Sequence, residues 1–184
     1  MDRLHKQGRN ALSPRSGRWS PERSQSGGKP DRASDDWFHP KYTTRMEWLF
    51  DDASIDWAEL SDLYRVAPLG NKEAKHLQTV FSNSRYKCFV RADGRLIGAG
   101  RALADGGDCS YLCDIAVHPQ FQGTGLGKAI TNRLKELSAG YKKIILYANP
   151  GREGFYKKLG FRRMRTAMAI FADQEAAERG GLIE

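Results

Sequence analysis

The chain has 184 residues, 40% of them hydrophobic and 28% charged, which fits one globular domain plus an appendage. No apolar run approaches the roughly 20 residues of a membrane span, and Cys88, Cys109 and Cys113 are too sparse for a disulfide framework, so reduced thiols and a cytoplasmic compartment are expected. The net charge of +8 suits an anionic cofactor as well as nucleic acid and does not choose between them.

Residues 1–44 are rich in Ser, Pro, Gly and Arg, with nine Lys/Arg against five Asp/Glu and no apolar periodicity. Such a segment cannot bury enough surface to offset its ordering entropy, so it is expected to be disordered. Three readings compete for it: a dispensable tail or overlong start, a basic arm for a partner, and a transit peptide. Asp31, Asp35 and Asp36 interrupt the charge and disfavour nucleic acid, and Asp2 and the prolines disfavour the transit peptide.

The folded domain is expected over residues 45–172. Met46–Phe50 reads as a strand. Ile55–Ala67 reads as an amphipathic helix with Leu60, Leu63 and Tyr64 inward and Asp56 at its acidic start. Pro68–Asn71 breaks it, and Lys72–Asn83 continues as a second helix. Tyr86–Arg91 and Arg95–Leu103 flank Ala92-Asp93-Gly94, a hairpin signal. Ser110–Val117 carries the apolar pattern of a central strand, which His118-Pro119 ends. Leu126, Ile130, Leu134 and Leu137 form one helical stripe, with Gly140 suited to the stop. Lys143–Ala148 is a second buried strand, and strand–helix–strand implies a parallel pair. Gly151–Leu159 is a short helix, Phe161–Phe171 holds one or two strands, and 173–184 is a polar tail that frays. The fold class is α/β, a mixed and mainly antiparallel sheet with helices on both faces.

Between the central strand and its helix lies Gln122-Gly-Thr-Gly-Leu-Gly127. Glycines there leave backbone N–H groups free beside a helix dipole, which makes an anion site. Lys128 stands where the dinucleotide fingerprint needs glycine, and Gln122 and Ala129 break the phosphate loop of nucleotide triphosphatases. The Gln-x-x-Gly-x-Gly at Gln122, Gly125 and Gly127, after Val117-His-Pro, resembles the acetyl-CoA loop of the GNAT superfamily of N-acetyltransferases. Asn149, Tyr156, Leu159, Gly160 and Phe161 keep the spacing of a second GNAT signature, although Arg152 stands where the family often has Ala.

The resemblance implies direct, metal-free transfer of an acetyl group from acetyl-CoA to a primary amine. It implies that the two parallel strands splay, and that backbone groups of Ile115, Ala116 and Val117 bind pantetheine in the gap. Gln122, Gly123, Thr124, Gly125, Leu126, Gly127 and Lys128 would hold the pyrophosphate, and Asn149 and Tyr156 would sit near the thioester. Tyr156 would protonate the leaving thiolate. Asp114 is the candidate base or water-orienting carboxylate, and strand alternation sets it opposite Cys113 and Ile115. A Cys113 nucleophile lacks a His-based pair. The acceptor side would form around residues 64–74 and 164–171, where Tyr64, Pro68, Leu69 and Met168 suit an aromatic amine or amino sugar, and Arg65, Lys72, Lys75, Arg163 and Arg165 repel polyamines. A protein acceptor, a non-catalytic acetyl-CoA sensor and a homodimer remain alternatives.

Overall fold

The computed structural model describes residues 45–184; the expected tail over 1–44 lies outside them. Five strands form one sheet in the order β1-β2-β3-β4-β5: β1 Met46–Leu49, β2 Tyr86–Ala92, β3 Arg95–Ala104, β4 Cys109–Val117 and β5 Lys143–Ile145. The first four pair antiparallel, and β4 and β5 pair parallel. The β2–β3 hairpin turns on Asp93 and Gly94, at φ +49° and +82°, which is what a type I′ turn needs.

Helices cover both faces. On one face lie α1 (Trp57–Val66) and α2 (Ala74–Ser82), which bury Leu60, Leu63, Tyr64, Leu77 and Phe81 against Phe89, Ala99 and Ala116. Asp56 is the N-cap of α1; its carboxylate accepts from Ala58 N at 2.8 Å and Glu59 N at 3.3 Å. On the other face lies α3 (Leu126–Leu137), whose Leu126, Ile130 and Leu134 stripe packs on Val90, Ile97, Ala102 and Leu112. Gly98 of β3 admits this helix: a Cβ there would stand 2.7 Å from Ile130 Cδ1. The short helices α4 (Glu153–Lys157) and α5 (Gln174–Arg179) complete the chain.

Three sequence expectations change. β5 stops at Ile145 rather than Ala148. Residues 161–171 contain no strand. Residues 173–184 do not simply fray: Asp173 caps α5 through Ala176 N at 2.8 Å, and Ala177 is buried. A Cβ at Gly181 would lie 3.7 Å from Pro150 Cγ, so this C-terminal turn sits against the loop that follows Asn149.

Candidate active site

β4 runs on past its neighbour. Pairing with β5 ends at Tyr111↔Ile145, so Leu112–Val117 has β3 on one side and no strand on the other. Backbone groups on that open side need an external partner. The expected splay is therefore present, and it begins with the Tyr111 and Tyr147 rings stacked across the gap, 5.8 Å between centroids.

A β-bulge re-aims β4 inside this open stretch. Ala99 pairs with Ala116 but Arg101 pairs with Cys113, so Asp114 and Ile115 together oppose Gly100. Asp114 takes φ +53°. The bulge switches faces: Leu112 packs under α3, whereas Ala116, an even number of residues on, packs under α1. Alternation thus fails at this one place. Asp114 joins Cys113 on the α1–α2 side, while Ile115 and Val117 turn toward α3.

On that side Asp114 is held by two cations. Lys72 Nζ donates to Oδ1, and Arg101 Nε donates to Oδ2 at 2.6 Å. Burial alone would raise its pKa, but the bonds and charges of Lys72 and Arg101 outweigh this and hold the carboxyl below its ordinary range. The Tyr64 hydroxyl donates to the Asp114 backbone carbonyl, and Arg101 also reaches Ser84 Oγ at 3.1 Å. Tyr64 is fully buried and belongs to the core, not to an acceptor pocket. The neighbouring Cys113 thiol is pushed up to about 11 by burial, which leaves it a poor nucleophile. Lys72 and Arg101 are the residues sequence reasoning missed as a pair. The signal was Arg101 itself, a charge in the otherwise apolar LIGAGRALA of β3.

After β4, a turn of 3₁₀ helix at Pro119–Phe121 leads into the glycine loop. Gln122 Nε2 donates to Val117 O at 3.0 Å and Thr124 Oγ1 to Phe121 O at 2.7 Å, which brace the loop from outside. Gly123 and Gly125 stand at φ +77° and +93°, and Gly125 is the N-cap of α3 with no side chain to satisfy the first turn. From Gly123 through Lys128 no backbone N–H finds an acceptor among the described residues. The Leu126 side chain is core, so only its N–H is available; Lys128 is exposed. Six orphan donors at one helix N-terminus fit a pyrophosphate.

α4 closes on the same place. A Cβ at Gly127 would lie 3.6 Å from Val117 Cγ2 and 3.7 Å from Phe155 Cζ, so the loop helix, the end of β4 and α4 meet there. Tyr156, next to Phe155, is half-buried between the Phe155 and Phe161 rings. Burial raises its pKa, so its hydroxyl stays protonated near neutral pH. Asn149 is exposed at the start of the turn into α4, its carbonyl accepting from Arg152 N at 3.0 Å. A shallow depression of about 600 Å³, lined by Asn83–Arg85, Leu103–Asp105, Cys109 and Tyr111, lies at the opposite end of β4 from the glycine loop.

An anion cradle opening a helix, beside a strand parted from its parallel neighbour, defines a domain of the acetyltransferase class. Residues 84–163 match the family described as "Acetyltransferase (GNAT) domain". An N-acetyltransferase of Pyropia yezoensis is 42% identical over 72 residues, 38% of this chain and 41% of that protein. The chloroplastic serotonin N-acetyltransferase 2 of Oryza sativa is 41% identical over 70 residues, 37% and 35% of the two chains. The glucosamine 6-phosphate N-acetyltransferase of Trypanosoma brucei is 28% identical over 126 residues, 64% and 76%. A GNAT family acetyltransferase structure from Streptococcus pneumoniae superposes with a TM-score of 0.61 at 17% identity, covering 71% of this chain and 99% of that one. Residues 84–163 are thus similar to a GNAT acetyltransferase domain, and the chain spans less than half the length of the first two of these relatives. No helix among the described residues is long and apolar enough to cross a membrane.

Proposed function

We propose that this protein transfers the acetyl group of acetyl-CoA to the primary amine of a small molecule, either an arylalkylamine or an amino sugar. The observation that carries the reading is the meeting at Gly127 of six unpartnered loop N–H groups, the open end of β4, and the helix that bears Tyr156. When bound, acetyl-CoA supplies an activated acetyl thioester. The N–H groups of Gly123–Lys128 would hold its pyrophosphate, open-edge backbone groups of Ile115, Ala116 and Val117 would pair with pantetheine amides, and Asn149 would lie beside them. A backbone N–H of the bulged strand, that of Ile115, would stabilise negative charge on the reacting carbonyl oxygen. The protonated Tyr156 hydroxyl would give its proton to the departing thiolate.

Asp114 takes a different role from the base expected of it. A carboxylate already bonded to Lys72 and Arg101, with its proton affinity lowered, is poorly suited to accept a proton near neutral pH. We assign it as a positioning residue that clamps the bulge and so fixes Ile115. The charge argument against polyamines also narrows, because Arg65 pairs with Asp62 at 2.8 Å and Lys72 pairs with Asp114. Lys75, Arg163 and Arg165 remain. The compartment is read as cytoplasmic from three free thiols, while some relatives carry chloroplastic names. Steady-state kinetics on an arylalkylamine, an amino-sugar phosphate, spermidine and a lysine-rich peptide test the reading. The expected kcat/KM is highest for one of the first two; highest turnover of spermidine or the peptide would overturn the acceptor class.

A further inference from the structure

We infer that the amine acceptor carries an anionic group, a phosphate or a carboxylate, about 7 Å from its amine, and that Lys72 and Arg101 bind that group. This deepens the proposed function and rests on its placing of the Ile115 N–H at the reacting carbonyl.

The charges beside the bulge do not balance. Lys72 and Arg101 bring two cations to one carboxylate, that of Asp114, and no second carboxylate reaches either of them among the described residues. The side chains of Lys72, Arg101 and Asp114 are 26%, 13% and 15% exposed, so one net positive charge is held largely out of water. Such a charge is costly until a counter-ion joins it.

The donors left over lead to the same conclusion. Arg101 gives Nε to Asp114 and Nη1 to Ser84 Oγ, while its Nη2 meets no acceptor among the described residues. Lys72 Nζ bonds only to Asp114, which leaves N–H groups to spare. The Tyr64 ring centre lies 5.1 Å from Lys72 Nζ and the Phe81 ring centre 5.9 Å from Arg101 Cζ, so aromatic faces orient both cations without neutralising them. Oriented N–H donors on paired cations are what phosphate and carboxylate bind. The cluster is also reachable: Ser84, which accepts from Arg101, lines the open depression over Leu103, Cys109 and Tyr111.

Position sets the spacing. Asp114 directly precedes Ile115, and both cations touch its carboxylate. One residue step of about 3.8 Å and one hydrogen bond of about 3 Å put the anion about 7 Å from the reacting carbonyl. An α-amino acid, with its two groups about 3 Å apart, is too short. A sugar ring or a five-carbon chain bridges the distance.

Steady-state kinetics with acetyl-CoA on matched amines test this: glucosamine against glucosamine 6-phosphate, and pentylamine against 5-aminopentanoate. In at least one pair the anionic member is expected to have a kcat/KM higher by about 10-fold or more, mainly through KM, and the pair that shows it tells phosphate from carboxylate. In Lys72→Met this preference is expected to fall by about threefold or more, whereas Lys72→Arg keeps it. Lys72 lies between α1 and α2, and its loss leaves one cation on one carboxylate, so the variant is expected to fold. The preference is a ratio within one protein, which a general loss of activity does not move. Equal rates, or a neutral amine preferred, in both pairs would overturn the inference and leave acetyl transfer standing. A preference that Lys72→Met leaves intact would also overturn it, because another group then reads the anion. No turnover of any of the four amines would remove the proposed function and the inference with it.

Discussion

Replacing Asp114 by Asn tests the clamp on the β4 bulge. Asn keeps the shape and tolerates φ +53°, so the change removes charge without adding backbone strain. It leaves Lys72 and Arg101 with no carboxylate, at side-chain exposures of 26% and 13%. Removing one partner of a buried ion pair costs about 3–5 kcal/mol, and the residual exposure of Lys72 sets the expectation at about 3 kcal/mol. For a domain of this size that corresponds to a Tm lower by about 10 °C, read by thermal melting at pH 7. The pH dependence has a fixed sign. The folded carboxyl lies below its unfolded value of about 3.9, so its contribution is fully present above that pH and disappears as the pH falls through the folded value. The gap between wild type and variant should therefore be constant from pH 8 to about pH 5 and narrow below about pH 4. A Tm change under about 2 °C, or a gap that does not narrow in acid, would refute the clamp. A kcat loss of about 10²- to 10⁴-fold without a matching loss of Tm would restore Asp114 as the base.

Other expectations follow from the loop, α4 and the domain boundary. Gly125→Val forces a β-branched residue to φ +93° and costs about 2 kcal/mol; acetyl-CoA at 100 times its Kd stabilises the wild type by about 2.7 kcal/mol, and most of this shift should vanish in the variant, as thermal shift measures. Tyr156→Phe should lower kcat by about 10²-fold with acetyl-CoA affinity little changed, since the hydroxyl has no partner among the described residues. Equal loss of binding and turnover would assign Tyr156 to packing instead. Removing residues 1–44 should leave Tm and acetyl transfer near wild-type values, because both core clusters lie within the described residues; an unfolded product would move the domain boundary.

Much of this architecture was legible where local chemistry and burial agree. The Asp93-Gly94 turn fixes the hairpin, and Leu126, Ile130 and Leu134 fix α3 and, through it, the glycine loop. The parallel pair followed from a strand–helix–strand order. What failed was decided at long range. A bulge is one extra residue, which an alternation argument cannot see, so Asp114 was set on the wrong side of Cys113. Its partners come from 42 and 13 residues away, and only an arginine within an apolar strand hinted at them. Residues 161–171 do carry strand periodicity, yet periodicity shows what a segment can bury and not where its partner is. The α5 helix was hidden by polarity, although Asp173 three residues before Ala176 is a capping signal.

The central claim is tested most directly by thiol release from acetyl-CoA with the purified chain, run with and without a primary amine. The account predicts free CoA produced only when amine is present, in step with an amine heavier by one acetyl group. Acetyl-CoA that stabilises the protein but yields no amine-dependent thiol with any member of the panel would contradict it.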